Sequence, residues 1–424
     1  MALCRVCRAE PAGLLLQGEL EMQTVKNREP IGIHCILAMI YFIAIPLTIT
    51  VNSAGDSFLK IITLPIGLFF LATLFFYEDK LELNVVHACF ALYLISTVAS
   101  LFVNDRDVAV SFVIGHIQNA GLMFCITLRR YNSREIEWLE NVQIALLGIL
   151  VCIGLFGDTT FTDTERTTMS LFGGVSDPNY FCGFFIFPIA VSLKKAAENK
   201  KYIGLCLPLI ILGIYVVILS GSRGGLLAVG VTLVAFVVLY SRNIWRMIIA
   251  LLILAASAVL FWTIVVPILP ENIAERMSIE SVIESRGTYR GDIWKSMLNE
   301  IKNSSWQWLT GRGINSEHVL MMGGRLETVV AHNGFIQTLY DQGVIGLLLF
   351  SGLSFSAIFR NIKKRTYIAV GMIGILTLTL GLTLNPSMKS FWNLIMYAGL
   401  AFTENSNPSK GDDVKNETAE VRSL

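Results

Sequence analysis

The stretch YIGLCLPLIILGIYVVILSGSRGGLLAVGVTLVAFVVLY, residues 202–240, decides the fold class. It contains two apolar runs, residues 202–219 and 225–240, each close to the roughly 20 residues that a helix needs to cross a bilayer core. Arg223 is the one charge in the stretch, and it lies in the turn Ser220-Gly221-Ser222-Arg223-Gly224-Gly225 between the runs. The stretch therefore predicts two membrane-spanning helices joined by a short turn that carries an arginine.

The composition of the whole chain agrees with this interpretation. Of its 424 residues, 54% are hydrophobic and 15% are charged, and the mean hydropathy is +0.62. Soluble domains carry roughly 25% charged residues, so the composition argues against a soluble enzyme, a disordered chain and a coiled coil. The net charge of +1 offers no basic face for nucleic acid. The few charges must therefore be concentrated in a few places.

About twelve apolar segments are candidate membrane spans, although three are short and one is unusually polar. They are residues 31–51, 58–77, 83–103, 108–128 (polar), 141–157 (short), 179–193 (short), 202–219, 225–240, 247–269, 342–359, 367–384 and 388–403 (short). The predicted fold is an all-α polytopic membrane protein with about 12 transmembrane helices and one long extracytoplasmic loop before the tenth span.

The distribution of Lys and Arg predicts the orientation of these spans. With the N-terminus inside, 21 of the 33 basic residues fall in cytoplasmic segments and 4 in the short loops outside, as the positive-inside rule expects. The predicted divisions are a cytoplasmic segment at 1–30, helices 1–9 at 31–269, the extracytoplasmic catalytic loop at 270–332, helices 10–12 at 333–403 and a disordered cytoplasmic tail at 404–424.

Two arginines on the predicted outer side are candidate functional residues. Arg223 lies at the membrane interface between glycines that allow a ligand to approach closely; a snorkelling arginine at a helix end is the alternative. Arg290 and Trp294 are four residues apart and share a helix face, which suits a guanidinium stacked on a ring. A salt bridge from Arg290 to Asp292 is the alternative interpretation.

His332 is the candidate proton acceptor, because histidine titrates near neutral pH. It lies where the long loop returns to the membrane. The alternative is that His332 is structural, an interpretation that fits His318 better. The loop spans about 60 residues, and loops beyond roughly 15 residues without a function are uncommon. Within it, residues 283–301 have the apolar spacing of a helix lying on the membrane surface.

The sequence gives little support for a metal site. Cys4 and Cys7 form one CxxC pair without the second pair that a structural zinc site needs. Asp105 and Asp107 could bind a divalent cation, but they also fit an ordinary polar turn. The stretch Asp177-Pro178-Asn179 is a turn before the following helix, and it could place polar groups at the mouth of a site.

Five short motifs share one predicted side of the membrane and together carry a resemblance. They are Asp177-Pro178-Asn179, Ser222-Arg223-Gly224-Gly225, Arg290 with Trp294, Gly311-Arg312-Gly313, and His332-Asn333 with Gly343 to Gly346. In this order, and with about twelve spans, they resemble the O-antigen ligase and polymerase superfamily. These proteins are polytopic glycosyltransferases that use sugars carried on undecaprenyl diphosphate.

The resemblance implies a site and its partners. Arg223, Arg290 and His332 would be catalytic, with a substrate-binding group of Asp177, Asn179, Trp294, Arg312 and Asn333. It implies no cofactor and no metal. The implied partners are an undecaprenyl-diphosphate-linked glycan donor, a glycan or lipid acceptor and the lipid bilayer, with a flippase and a chain-length regulator as candidates. The implied location is the bacterial cytoplasmic membrane, with both termini in the cytoplasm.

Three other functions compete with a polymerase, which is favoured because no dedicated acceptor domain is visible. A ligase would move the finished glycan to lipid A-core, a protein or a wall polymer. A transporter or flippase would place its polar groups near the bilayer midplane, whereas here they gather at one face. A structural scaffold would leave the arginines, tryptophans and histidines of the long loop unexplained.

Overall fold

The computed structural model describes residues 31–49, 65–69, 72, 83–102, 126–129, 131–161, 167–170, 178–278, 280, 290–304, 306–314, 316, 318–322, 325–364 and 366–381. The predicted terminal segments, most of the predicted spans at 58–77 and 108–128, and the span at 388–403 lie outside these residues.

The described residues are mostly helical. The helices before the predicted loop are α1 (Ile33–Ile49), α2 (Val85–Ala99), α3 (Ser133–Phe156), α4 (Pro178–Glu198), α5 (Ile203–Leu219), α6 (Arg223–Tyr240) and α7 (Ile244–Leu260). The later helices are α8 (Glu271–Met277), α9 (Arg290–Lys302), α10 (Gln307–Thr310), α11 (Gly334–Lys364) and α12 (Tyr367–Gly381). Two antiparallel hairpins pair β1 (Asp158–Phe161) with β2 (Thr167–Ser170), and β3 (His318–Met322) with β4 (Arg325–Val329).

Six helical stretches in the described part of the chain are long and apolar enough to cross a membrane. They are Ser133–Phe156, Pro178–Glu198, Lys200–Leu219, Arg223–Tyr240, Ile244–Ile268 and Gly334–Ile362. The stretch that contains α7 reaches Ile268 because a π turn and a 3-10 turn continue the helix. Shorter apolar helices lie at Ile33–Ala44, Val85–Ala99 and Tyr367–Gly381. The chain is therefore a mostly helical polytopic membrane protein, consistent with the predicted all-α class apart from two short hairpins, and the count of about twelve spans stays a prediction.

Several helices extend well beyond the apolar windows that predicted them. The span predicted at 141–157 is part of α3, which begins at Ser133, because Asn132 caps it. The Asn132 side chain accepts a hydrogen bond from the Glu135 amide at 2.8 Å, and the Glu135 carboxylate accepts one from the Asn132 amide at 2.9 Å. Such a capping box stabilises a polar first turn that hydropathy does not detect.

Helix α12 is the central element near the candidate site, since it packs against α4, α6 and α11. Small residues permit the close approach. A Cβ atom placed on Gly374 would overlap Thr232 Oγ1 of α6, and one placed on Gly371 would lie 2.6 Å from the Phe187 ring of α4. Close packing through small residues is typical of helices within membranes. It brings the last turn of α12 beside the first turn of α6.

Candidate active site

Arg223 is the first residue of α6, and the backbone around it is tightly fixed. The Ser222 hydroxyl accepts a hydrogen bond from the Gly225 amide at 3.0 Å and donates one to Asn179 Oδ1 at 2.7 Å. A Cβ atom on Gly225 would lie 2.5 Å from Cys182 Cβ, so only glycine lets α6 approach α4 here. The predicted turns around Asn179 and Arg223 therefore meet, and Asn179 orients the helix cap.

A second arginine lies beside Arg223. Arg223 Nε donates a hydrogen bond to the backbone carbonyl of Arg276 at 2.6 Å. The Arg276 side chain runs past Gly221, where a Cβ atom would lie 3.8 Å from both Cδ and Nε of Arg276. Gly221 has a φ of +66°, in the left-handed region that glycine occupies without steric cost. Arg276 therefore belongs to the Arg223 region.

Arg276 was not singled out from the sequence, although helix α8 holds it firmly. Ile273 and Met277 of α8 are buried against neighbouring helices, and the Trp262 indole donates a hydrogen bond to the Met277 carbonyl at 3.0 Å. Ile273 and Met277 are four residues apart, and this apolar spacing is a sequence signal that could have revealed the short amphipathic helix. It could not have shown that Arg276 would lie beside Arg223.

Arg290 and Asn333 meet at the end of α12. Arg290 is the first residue of α9, and its Nη1 would lie 3.4 Å from a Cβ atom placed on Gly381. Asn333 Nδ2 donates a hydrogen bond to the Leu380 carbonyl at 3.2 Å. Because Leu380 and Gly381 are consecutive, the predicted arginine motif and the predicted His-Asn motif contact the same turn of backbone.

The start of α6 approaches the same helix end. A Cβ atom on Gly224 would lie 3.9 Å from Leu378 Cδ1 of α12 and 3.9 Å from Asn179 Oδ1 of α4. The N-terminal ends of α4, α6, α9 and α11 are thus arranged around the C-terminal end of α12. This arrangement brings Arg223, Arg290 and His332 to one end of the helices.

The backbone on both sides of His332 is held by hydrogen bonds. Trp294 Nε1 donates to the Ala331 carbonyl at 2.6 Å, and the Ala331 amide donates to Gln337 Oε1 at 2.9 Å. Asn333 Oδ1 caps the first turn of α11. His332 itself is half-buried and has a φ of +48°, a backbone conformation that non-glycine residues adopt infrequently and that is enriched at functional sites. Trp294 positions this turn from α9.

Two predicted glycine motifs allow two stretches of backbone to pack directly together. The amides of Arg312 and Gly313 donate to the carbonyls of Tyr340 and Asp341, each at 2.9 Å. A Cβ atom on Gly311 would overlap the Asp341 carbonyl. Helix α11 is interrupted at Gly343, where it meets this turn. The backbone of Gly343 has φ +66° and ψ −165°. The glycines therefore serve backbone packing beside the site.

Gly343→Ala should strongly destabilise the protein. Its φ and ψ lie in a region that is almost exclusive to glycine and costs other residues about 1–3 kcal/mol, and a Cβ atom would also overlap the Leu309 carbonyl. Gly230→Ala is the matched control, because nothing lies within 4 Å of its added Cβ. Thermal unfolding in detergent should show a clearly lower midpoint for Gly343→Ala alone. Equal midpoints for the two variants would contradict the packing role.

Arg312 takes part in a polar cluster that connects α9, β3 and α11. Glu300 of α9 pairs with Arg312 and accepts hydrogen bonds from His318 Nδ1 at 2.7 Å and from the Tyr340 hydroxyl at 2.9 Å. Burial, followed by the charge of Arg312, lowers the pKa of His318 below its usual 6.5. The neutral ring then donates from Nδ1 and accepts from Ser296 Oγ through Nε2, at 3.1 Å. Arg312 therefore contributes first to the packing of this cluster.

Three acidic residues considered from the sequence, Asp105, Asp107 and Asp177, lie outside the described residues. Within the ranges that the structure describes, no group of three or more His, Cys, Asp or Glu side chains is arranged to hold a metal ion.

A comparison with protein families finds a match over the segment that contains most of the candidate site residues. Residues 208–351 match the family model described as O-antigen ligase. The match extends from α5 to α11 and includes Arg223, Arg290 and His332. It confirms the resemblance to the O-antigen ligase and polymerase superfamily. No curated protein matches the chain.

Proposed function

From the O-antigen ligase match over residues 208–351, we propose that this chain is a surface-polysaccharide polymerase. The family implies a membrane enzyme of the O-antigen ligase or polymerase type, which is a glycosyltransferase. In our proposal the enzyme moves a polyprenyl-diphosphate-linked oligosaccharide onto an acceptor hydroxyl at the outer face of the cytoplasmic membrane.

The observation that carries the proposal is the shared position of Arg290 and the His332-Asn333 turn at the last residues of α12. Arg290 Nη1 lies beside Gly381, and Asn333 bonds to the Leu380 carbonyl. Arg223 approaches the same helix end through its neighbour Gly224. Residues far apart in sequence thus meet at one end of the helices, and in our proposal their two guanidinium groups and one imidazole form the site that the reaction requires.

The two arginines suit the diphosphate of the donor. A guanidinium can bind phosphate oxygens through two parallel hydrogen bonds. Both arginines are the first residues of their helices, α6 and α9, so the partial positive charge of each helix N-terminus adds to theirs. As the bond between the anomeric carbon and the diphosphate oxygen breaks, its electron pair leaves with the diphosphate. Arg223 and Arg290 would stabilise that developing charge.

His332 suits the acceptor side of the reaction. The acceptor oxygen forms the new bond to the anomeric carbon, and its proton must go to a base. In our proposal the His332 imidazole takes this proton. Its turn is fixed by Trp294 on one side and by the Asn333 cap on the other, so the backbone that carries the ring is held in place before the acceptor arrives. Such preorganisation avoids an entropic cost at the transition state.

The remaining predicted residues act mainly by positioning in this proposal. Asn179 orients the cap of α6, and Trp294 orients the His332 turn. Arg312 would contact the glycan at the edge of its polar cluster with Glu300. The donor would reach this end of the helices from the outer leaflet, as the predicted positive-inside orientation requires.

A ligase is the second candidate, since the matching family model is itself described as O-antigen ligase. The two activities share the donor and differ in the acceptor. A polymerase would extend another lipid-linked repeat, whereas a ligase would need a separate acceptor such as lipid A-core. The reaction product therefore decides between them.

Purified protein in proteoliposomes, supplied with a polyprenyl-diphosphate-linked repeat unit, should produce a ladder of longer lipid-linked glycans. EDTA should leave the rate unchanged, because in our proposal two arginines neutralise the leaving diphosphate in place of a divalent metal ion. Transfer to an added acceptor lipid without a ladder would assign a ligase. Uptake of the glycan into vesicles without any transfer would assign a transporter, and strong inhibition by EDTA would refute metal independence.

A further inference from the structure

A membrane-facing groove lies between α3 and α5, away from the candidate active site. Its volume is about 440 Å³, within the range of small-molecule binding sites. The α3 side includes Ala145 and Gly148, and the α5 side includes Leu205 and Leu209. Leu205 is 53% exposed, so the groove opens on the outer surface of these two helices. An apolar groove at this place would be filled by a lipid chain.

Two small residues create the groove. Ala145 and Gly148 are three residues apart and therefore lie on one face of α3. A Cβ atom on Gly148 would meet only Leu209 Cδ2, at an ordinary distance of 3.9 Å. Larger side chains on this face would fit sterically and would fill the space, so the concavity is not forced by close packing of the two helices.

One end of the groove is polar and positively charged. Tyr202 and Asn141 line it there, and the turn before α5 carries the exposed lysines Lys200 and Lys201. In the part of the chain that the structure describes, neither of these lysines forms a salt bridge.

Four charged side chains near this end are engaged with one another. The Glu140 carboxylate forms salt bridges with Lys194 Nζ at 2.5 Å and with Lys195 Nζ at 3.0 Å. A carboxylate oxygen of Glu198 lies 3.9 Å from Lys194 Nζ. Lys195 Nζ also lies 5.6 Å from the centre of the Tyr202 ring. Lys194 and Lys195 are therefore engaged, whereas Lys200 and Lys201 are exposed next to the lining residue Tyr202 and can meet a bound anion.

The groove opens at the end of the helices opposite to the candidate active site. Asn179 near the start of α4 contacts Ser222, whereas Lys200 follows the end of α4 at Glu198. A helix of 21 residues spans roughly 30 Å, which is about the thickness of the hydrocarbon core. A lipid whose headgroup meets Lys200 and Lys201 thus belongs to the other leaflet from the active site.

We propose that the groove between α3 and α5 binds an anionic phospholipid. One acyl chain lies along Ala145, Gly148 and Leu209, and the headgroup phosphate meets Lys200 and Lys201. Basic residues at the ends of grooves between membrane helices are typical sites for anionic headgroups. The lipid would hold α3 against α5 and would stabilise the protein without taking part in glycan transfer.

Native mass spectrometry of the full-length, delipidated protein tests this proposal with dioleoyl phosphatidylglycerol and dioleoyl phosphatidylcholine as probes. The protein should bind phosphatidylglycerol more tightly. The double variant Lys200→Ala/Lys201→Ala should lose about 25-fold in affinity for phosphatidylglycerol, at roughly fivefold per lysine, and little for phosphatidylcholine. Equal affinities of the unaltered protein for the two lipids would overturn the proposal.

A second variant tests the groove itself. Gly148→Leu should fill it and weaken binding of both lipids, while the matched control Gly204→Leu should bind like the unaltered protein. An added Cβ atom on Gly204 meets nothing within 4 Å, and Gly204 does not line the groove. Unchanged lipid binding by Gly148→Leu would overturn the proposal, even if the lysine variant behaved as expected.

Discussion

Arg290→Ala should reduce glycan transfer roughly 10³-fold or more, the scale of losing an arginine that stabilises a departing phosphate. Arg290 is the first residue of α9, and its guanidinium lies at the end of α12 beside Gly381. Without it, the leaving diphosphate would face one cation fewer at the moment when its charge develops. Rates of ladder formation in proteoliposomes measure this loss.

Two further variants distinguish a catalytic role of Arg290 from a structural one. Arg290→Lys keeps the charge but loses the planar fork that binds two phosphate oxygens, so it should recover part of the activity. Arg246→Ala is the matched control, because Arg246 is exposed near the start of α7 and should be dispensable. All three variants should keep the thermal midpoint of the unaltered protein. Full activity in Arg290→Ala would refute the proposed mechanism.

Most of the long apolar helices that the structure describes could be predicted from the sequence. A long apolar run is removed from water whichever helices it packs against, so hydropathy alone detects it. Their ends could not be predicted as well. Helix α3 begins eight residues before its predicted span because Asn132 and Glu135 form a capping box, and α11 begins at Gly334 rather than at residue 342. In a helix cap, polar side chains accept hydrogen bonds from free backbone amides. The same polar side chains lower the mean hydropathy, so a hydropathy window ends the span too early.

The sequence suggested candidate residues for the site but not how they are arranged in space. Arg223 was conspicuous because it is the one charge between two apolar runs. Arg276 was not conspicuous, since it lies among other charges in the long loop, and only the tertiary fold places its carbonyl 2.6 Å from Arg223 Nε. The approach of Arg290 to Gly381 likewise joins segments that are far apart in the chain, so no local pattern reveals it.

Backbone packing explains the glycines of two motifs that also carry predicted substrate-binding residues. Gly311 and Gly343 let two stretches of backbone meet with no room for a side chain. Arg312, which follows Gly311, pairs with Glu300. This cluster orients α9 and α11, which carry Arg290 and the Asn333 cap. The positions of Arg290 and His332 therefore both depend on this cluster. In our proposal, a substitution that disrupts the cluster should impair both diphosphate binding and proton transfer.

His332→Asn should lower kcat about 10²–10⁴-fold, the usual contribution of a general base, with little change in KM for the donor. Asparagine is the informative substitution, because it tolerates the φ of +48° found at this position and removes the basic ring. The turn held by Trp294 and Asn333 should persist, so the thermal midpoint should stay close to that of the unaltered protein.

His318→Asn provides the contrast from the same loop. His318 is buried and bonds Glu300 and Ser296, so this variant should lower the thermal midpoint and retain most of kcat in the fraction that stays folded. If His332→Asn instead kept kcat and raised only the KM for the acceptor, His332 would orient the acceptor rather than take its proton. The base would then have to be sought among the other groups around the end of α12.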